Sequence, residues 1–96
     1  MFQYEIYIPS EFSNMIEYAS ETLTLYCGGA TTYSAVGTWT NSENLPISEP
    51  ITVVRALSRS NNDFHMEYLA ERVRRKCNQD EVLWTKQQLS IMTHKG

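Results

Sequence analysis

The stretch Phe2-Gln3-Tyr4-Glu5-Ile6-Tyr7-Ile8-Pro9, read together with Ser10 through Gly29, decides how this chain folds. In the first eight residues Phe2, Tyr4, Ile6 and Ile8 fall on one side of an extended chain. Gln3, Glu5 and Tyr7 fall on the other. A period of two is that of a half-buried strand. Pro9 ends it, because proline donates no ladder hydrogen bond. Beyond Ser10 the period lengthens. Phe12, Ile16, Ala19 and Leu23 recur at helical spacing, and Met15 and Tyr26 widen the stripe. This predicts an amphipathic helix over about 11–25, with Ser10 as N-cap and Glu11 in the first turn. Gly28-Gly29 stop it, since glycine takes the left-handed cap conformation at no steric cost.

Working outward, residues 30–40 are rich in Thr, Tyr, Val and Trp and suit a strand. Gly37 within it marks a bulge or a close approach by another group. Asn41 to Pro50 reads as a turn. Residues 51–58, opening Ile51-Thr52-Val53-Val54-Arg55, form a third strand that pairs with the second as a hairpin. After a polar break, Asn62 or Asp63 caps a second helix over about 63–77, with Met66, Leu69, Ala70, Val73 and Cys77 on its inner face. Asn78-Gln79-Asp80 ends it. Residues 81–92 are a last strand with Val82, Leu83, Trp84, Leu89 and Ile91, and His94-Lys95-Gly96 is a frayed tail.

The order β-α-β-β-α-β is that of the ferredoxin-like α+β arrangement: a four-stranded antiparallel sheet with two helices on one face. All of 1–96 forms one domain, and the second sheet face stays open. Tyr4 or Tyr7, Tyr33, Trp39 and Trp84 supply more aromatic area than two helices cover. Outward apolar groups on a sheet need a partner, and the expected one is a second copy of the chain, giving a homo-oligomer.

Bulk properties narrow the function. A net charge of -3 and a pI near 5.3 exclude general nucleic-acid binding, which depends on a basic surplus. No apolar run approaches the roughly 20 residues that span a bilayer, so no membrane partner is expected. Cys27 and Cys77 follow no secretory signal. They are expected to be small apolar residues in a reducing cytoplasm.

No G-x-S-x-G, Walker, H-E-x-x-H or C-x-x-C motif is present. His65 and His94 lack metal-ligand spacing. Cys77 and His65, on one helix, stand about 18 Å apart and cannot act as a nucleophile–base pair. Gly28-Gly29 end a helix rather than opening one, and the helix dipole there repels phosphate. The expectation is a non-enzymatic protein without cofactor. The basic run is sharper. Arg72, Arg75 and Lys76 share one side of the second helix, Arg74 points elsewhere, and Arg55 and Arg59 end the third strand. Arginine forks suit phosphate oxygens. A solvated helix face, with Glu71 reaching Arg75, is the alternative.

Three landmarks stand together: Gly29-Ala30-Thr31-x-Tyr33-x-x-x-Gly37-x-Trp39, then Glu49-Pro50 leading into Ile51-Thr52-Val53, then Asn78-Gln79-x-x-Val82-Leu83 after the arginine-bearing helix. This series resembles a family of short phage and bacterial α+β proteins. It is similar to the phage anti-Thoeris proteins, which sequester a cyclic ADP-ribose signal without cleaving it. The resemblance runs over nearly the whole chain. It implies an oligomeric, non-catalytic trap for a small phosphorylated nucleotide in the host cytoplasm. Arg72, Arg75 and Arg55 are the candidates for its phosphates, and Asn78, Trp84 and Trp39 for its base. Two rivals remain: a protein–protein inhibitor acting through the open sheet face, and a small enzyme of the dimeric ferredoxin-like type whose site leaves no linear motif.

Overall fold

Strand β1 (Phe2–Pro9) keeps the period of two. Tyr4, Ile6 and Ile8 are fully buried, while Gln3, Glu5 and Tyr7 are half-buried on the opposite side. The computed structural model describes residues 1–90, 93 and 94. After β1 come α1 (Ser13–Cys27), β2 (Thr31–Thr40), β3 (Pro46–Ser58), α2 (Asp63–Lys76) and β4 (Trp84–Gln88). The strands form one antiparallel sheet in the order β2-β3-β1-β4, the ferredoxin-like α+β arrangement.

The two helices cover one face. Ala19 and Leu23 of α1 and Met66, Leu69, Ala70 and Val73 of α2 close on Tyr4, Ile6, Ile8, Val54 and Ala56. Each fully buried aliphatic side chain contributes about 1.5–3 kcal/mol relative to its exposed state. Tyr4 carries the one large polar group through this core. Its hydroxyl donates to Asp63 Oδ1 at 3.0 Å and accepts the Asn62 N–H at 2.8 Å, so no buried polar atom is left unpaired there. Cys27 and Cys77 are free thiols, and burial pushes both above the ordinary cysteine value. No helix among the described residues is long and apolar enough to cross a membrane.

Several boundaries differ from expectation for identifiable reasons. Helix α1 starts at Ser13, with Phe12 in the N-cap place. Ser10 does not cap it, because its hydroxyl is bonded to Thr52 Oγ1 at 2.8 Å and its N–H to the Pro50 carbonyl at 3.0 Å. Gly28 ends the helix as expected, at φ 94°. Strand β3 begins at Pro46 rather than Ile51, so most of the expected turn is ladder. Its two prolines are tolerated because β1 stops at the Pro9–Ile51 pair. Beyond that pair β3 has a free edge, which needs no N–H. The outer half of the β2–β3 hairpin therefore projects past the helix layer, and the molecule is 53 Å long but only 23 by 20 Å across. Strand β4 is short. Its expected continuation through Ile91 and Met92, and Lys95 and Gly96 of the expected tail, lie outside the described residues.

The aromatic side chains divide between the two faces. Tyr4 points into the core, and Trp84 packs beside it with ring centroids 6.3 Å apart. Both belong to the helix side. Tyr7, Tyr33 and Trp39 belong to the open face, where the register sets Val53 between Tyr7 and Tyr33. Val53 is only 1% exposed there, so the open face holds a small buried patch of its own.

Candidate functional site

The alternation that buries Ile6 and Ile8 turns Glu5 and Tyr7 toward the open face, and the sheet register brings their partners alongside. Glu5 pairs with Arg55 on β3, and Tyr33 of β2, opposite Val53, stands diagonally across from Arg55. Three side chains, one from each of three strands, then converge on the Glu5 carboxylate. Arg55 donates from Nε and Nη2 to Glu5 Oε2 at 3.1 and 3.0 Å. The Tyr33 hydroxyl donates to the same oxygen, and the Tyr7 hydroxyl reaches Oε1 at 3.3 Å. Arg55 also donates to the Tyr33 hydroxyl at 3.2 Å, with its guanidinium 4.9 Å from the centre of that ring.

The electrostatics follow. Burial alone would raise the Glu5 carboxyl. The hydrogen bonds from Tyr33, Arg55 and Tyr7, with the charge of Arg55, outweigh it and hold the group below 4.5. Burial, followed by the neighbouring Glu5 charge, raises Tyr7. The hydrogen bond to Glu5 is the main cause that raises Tyr33, and it raises Arg55 as well. At neutral pH the array is one carboxylate and one guanidinium, with two neutral phenols between them.

Tyr7 also borders a cleft of about 580 Å³, within the size range of small-molecule sites. The sheet contributes Pro9, Gly37, Trp39, Glu49 and Ile51, and the segment from Gln79 to Leu83, between α2 and β4, forms the opposite wall. Gly37 shapes the floor. The ladder runs through it without a bulge; of the two expectations for this glycine, the close approach holds. A Cβ there would sit 2.9 Å from Ile51 Cγ1 and 3.9 Å from the Trp39 ring. The Trp39 ring is left 44% exposed. Glu49, Asp80 and Glu81 are the charged residues lining the cleft, and all are acidic. No cluster of His, Cys, Asp and Glu among the described residues is arranged to hold a metal ion.

The six residues singled out in the sequence do not form one site. Trp39 lies in the cleft, and Arg55 in the carboxylate array beside it. Arg72 and Arg75 stand together, with Tyr68, Glu71 and Lys76, in a separate groove of about 470 Å³ on α2. Trp84 packs against the core from the helix side. Asn78 follows α2 at φ 51°, its N–H bonded to the Arg75 carbonyl at 3.3 Å, and so finishes the helix in a conformation asparagine tolerates. Sequence reasoning passed over Glu5, Tyr7 and Tyr33. The available signal was a lone carboxylate beside a tyrosine on the solvent side of a strand.

No family model and no curated protein matches this chain. Among solved structures it is similar to a phage SAM lyase in complex with S-methyl-5'-thioadenosine. The TM-score is 0.68 at 14% identity, covering 91% of this chain and 80% of the other. At that identity the likeness is one of fold. It nevertheless corrects one expectation. Missing motifs pointed to a protein without catalytic function, yet a chain of the same fold is an enzyme. The physical reason is visible in the sheet. A site assembled from β1, β2 and β3 through register leaves no contiguous signature, so a motif search does not exclude catalysis.

Proposed function

We propose that this protein binds S-adenosylmethionine, or a closely similar sulfonium nucleoside, in the open-face cleft and cleaves it as a lyase. The observation that carries this reading is the sign of the cleft. Among the described residues its charged lining is carboxylate only, with an accessible indole on its floor. Such a cavity disfavours a phosphate-bearing ligand and favours a cation. Trp39 offers a face for adenine or for the sulfonium, which an aromatic ring attracts through its quadrupole. Glu49, Asp80 and Glu81 offer acceptors for ribose hydroxyls and an ammonium group. The shared fold with a SAM lyase supports the same reading.

The chemistry asks little of the protein beyond positioning. A lyase consumes no water. When the bond between sulfur and the amino-acid side chain breaks, its electron pair stays on sulfur, and a neutral thioether leaves. The remaining four-carbon fragment either closes through its own carboxylate or loses a proton to one of the cleft carboxylates. Charge disappears from the sulfonium in either case, so the carboxylates act in binding the substrate, and the apolar surface of Tyr7, Trp39 and Ile51 favours the transition state, in which that charge is smaller. Glu5 is ionised and already occupied by three donors. Its role is to fix Tyr7 at the edge of the cleft and Arg55 in the adjoining array.

A homo-oligomer in a reducing cytoplasm belongs to this reading. Val36, Leu45 and Ile47 stand exposed on the projecting hairpin, and a second copy against them would help exclude water. The experiment is incubation of the purified protein with S-adenosylmethionine, followed by mass spectrometry of the products. Release of S-methyl-5'-thioadenosine, with loss of that activity in Trp39→Ala, supports the proposal. Unchanged S-adenosylmethionine overturns it. A parallel incubation with cyclic ADP-ribose, the ligand implied by the sequence resemblance, tests whether a phosphorylated cyclic nucleotide is the substrate or ligand instead.

A further inference from the structure

We propose that the groove on the outer side of α2 is a second ligand site, separate from the cleft, for a small phosphorylated molecule carrying a flat ring: the nucleotide class. Its cations are distributed differently from those of the rest of the surface. Arg55, Arg74 and Lys86 are matched to Glu5, Glu71 and Asp63. Arg72 and Lys76 make no ion pair among the described residues, and both line the groove. Arg75 gives only Nε to Glu71, at 2.8 Å, which leaves its two terminal nitrogens to donate elsewhere. Arg59, just after β3, is likewise without an ion pair among the described residues but lies outside the groove, where three cations with free donors stand together.

The groove is also ordered. Arg72 lies 5.1 Å from the centre of the Tyr18 ring, so α1 holds its guanidinium from beneath. Glu71 is gripped by Arg74 at 2.9 and 2.7 Å as well as by Arg75. These bonds hold its carboxyl at about 2, so it stays ionised and keeps Arg75 oriented. Two positioned forks side by side suit the oxygens of a phosphate or diphosphate. The volume, about 470 Å³, exceeds the need of a phosphate alone. Tyr68 forms the wall, 60% exposed, and presents a face on which a base can stack. The negative end of the helix dipole opposes an anion, so binding here rests on the side-chain forks outweighing that end and not on backbone N–H groups. Cations in the last turn of a helix also complement its dipole. That role would affect stability without a ligand, and it accounts for neither the free forks nor the aromatic wall.

The full-length protein is titrated with ADP, pyrophosphate and adenosine at physiological salt, with binding followed by calorimetry and by the NMR signals of Tyr68. ADP is expected to shift the Tyr68 signals, pyrophosphate to bind more weakly, and adenosine to leave the Tyr68 signals unmoved. Arg72→Gln/Arg75→Gln should weaken ADP by about tenfold or more, the scale of one lost charge-assisted hydrogen bond or several. Trp39→Ala should leave ADP binding unchanged, which separates this site from the cleft whether or not the cleft takes a sulfonium nucleoside. Melting of each variant without ligand checks that it is folded. Absence of ADP binding by the parent, or equal binding by the folded double variant, overturns the proposal. So does loss of ADP binding in Trp39→Ala.

Discussion

Arg55 faces Glu5 directly across the β1–β3 ladder and gives two hydrogen bonds, from Nε at 3.1 Å and Nη2 at 3.0 Å, to a single carboxylate oxygen. The Glu5 side chain is 12% exposed and that of Arg55 40%. The pair is therefore screened on one side and solvated on the other. It anchors Tyr7 and Tyr33 over the middle of the open face, and Tyr7 carries that order to the edge of the cleft.

The pair makes stability depend on acid in a defined direction. The folded Glu5 carboxyl titrates below 4.5. Its contribution is fully present above the unfolded value and is lost as pH falls through the lower folded value. Glu71 and Asp63 are lowered as well and act in the same direction, so the informative quantity is a difference between proteins. Melting temperatures of the parent should fall more steeply than those of Glu5→Gln between about pH 5 and pH 3. Parallel profiles would mean that the Glu5–Arg55 pair does not hold in solution.

Trp39 should matter to ligand and little to fold. Removing an aromatic stacking surface costs about 1–3 kcal/mol per stacked base, a loss of roughly fivefold to 150-fold in affinity for a nucleoside. The ring is 44% exposed on the projecting hairpin, so Trp39→Ala should change unfolding free energy by under about 1 kcal/mol. Calorimetric titration with S-methyl-5'-thioadenosine, beside a urea melt, separates the two effects. A large stability loss with unaltered binding would assign Trp39 to packing.

Gly37 should resist substitution for steric reasons. Any Cβ meets Ile51 Cγ1 at 2.9 Å. Gly37→Val forces the hairpin to shift and should destabilise by about 1–3 kcal/mol, the usual cost of overpacking. Ile51→Ala in the same chain removes the opposing atom and should recover part of that loss, because residues in contact do not act additively. Denaturant melts of the two single variants and the double variant measure the coupling. Strict additivity would contradict the contact.

The periods of two and of about four made the fold readable. Phe2 to Pro9, the apolar stripe ending at Gly28, and the second stripe from Met66 to Val73 each turned out to be the expected element. What failed depended on distant partners. Ser10 has the chemistry of a cap but is engaged by Thr52 from another strand. Pro46 and Pro50 look like turn residues, yet they lie in a strand because β1 ends where they begin. The arginines at 72 and 75 could be placed together from helical spacing. Glu5, Tyr33 and Arg55 could not, since only register brings positions 5, 33 and 55 to one point. The face that Trp84 occupies could not be read, because its neighbours at 82 and 83 are equally apolar and leave no alternation.

The most direct measurement is an NMR map of the protein titrated with S-methyl-5'-thioadenosine. The nucleoside should shift the indole N–H of Trp39 and the amides of Tyr7, Gly37, Ile51 and Val82, while Tyr68 and Arg72 stay unmoved. Shifts confined to α2, or no saturable shift anywhere on the open face, would contradict the assignment of the cleft.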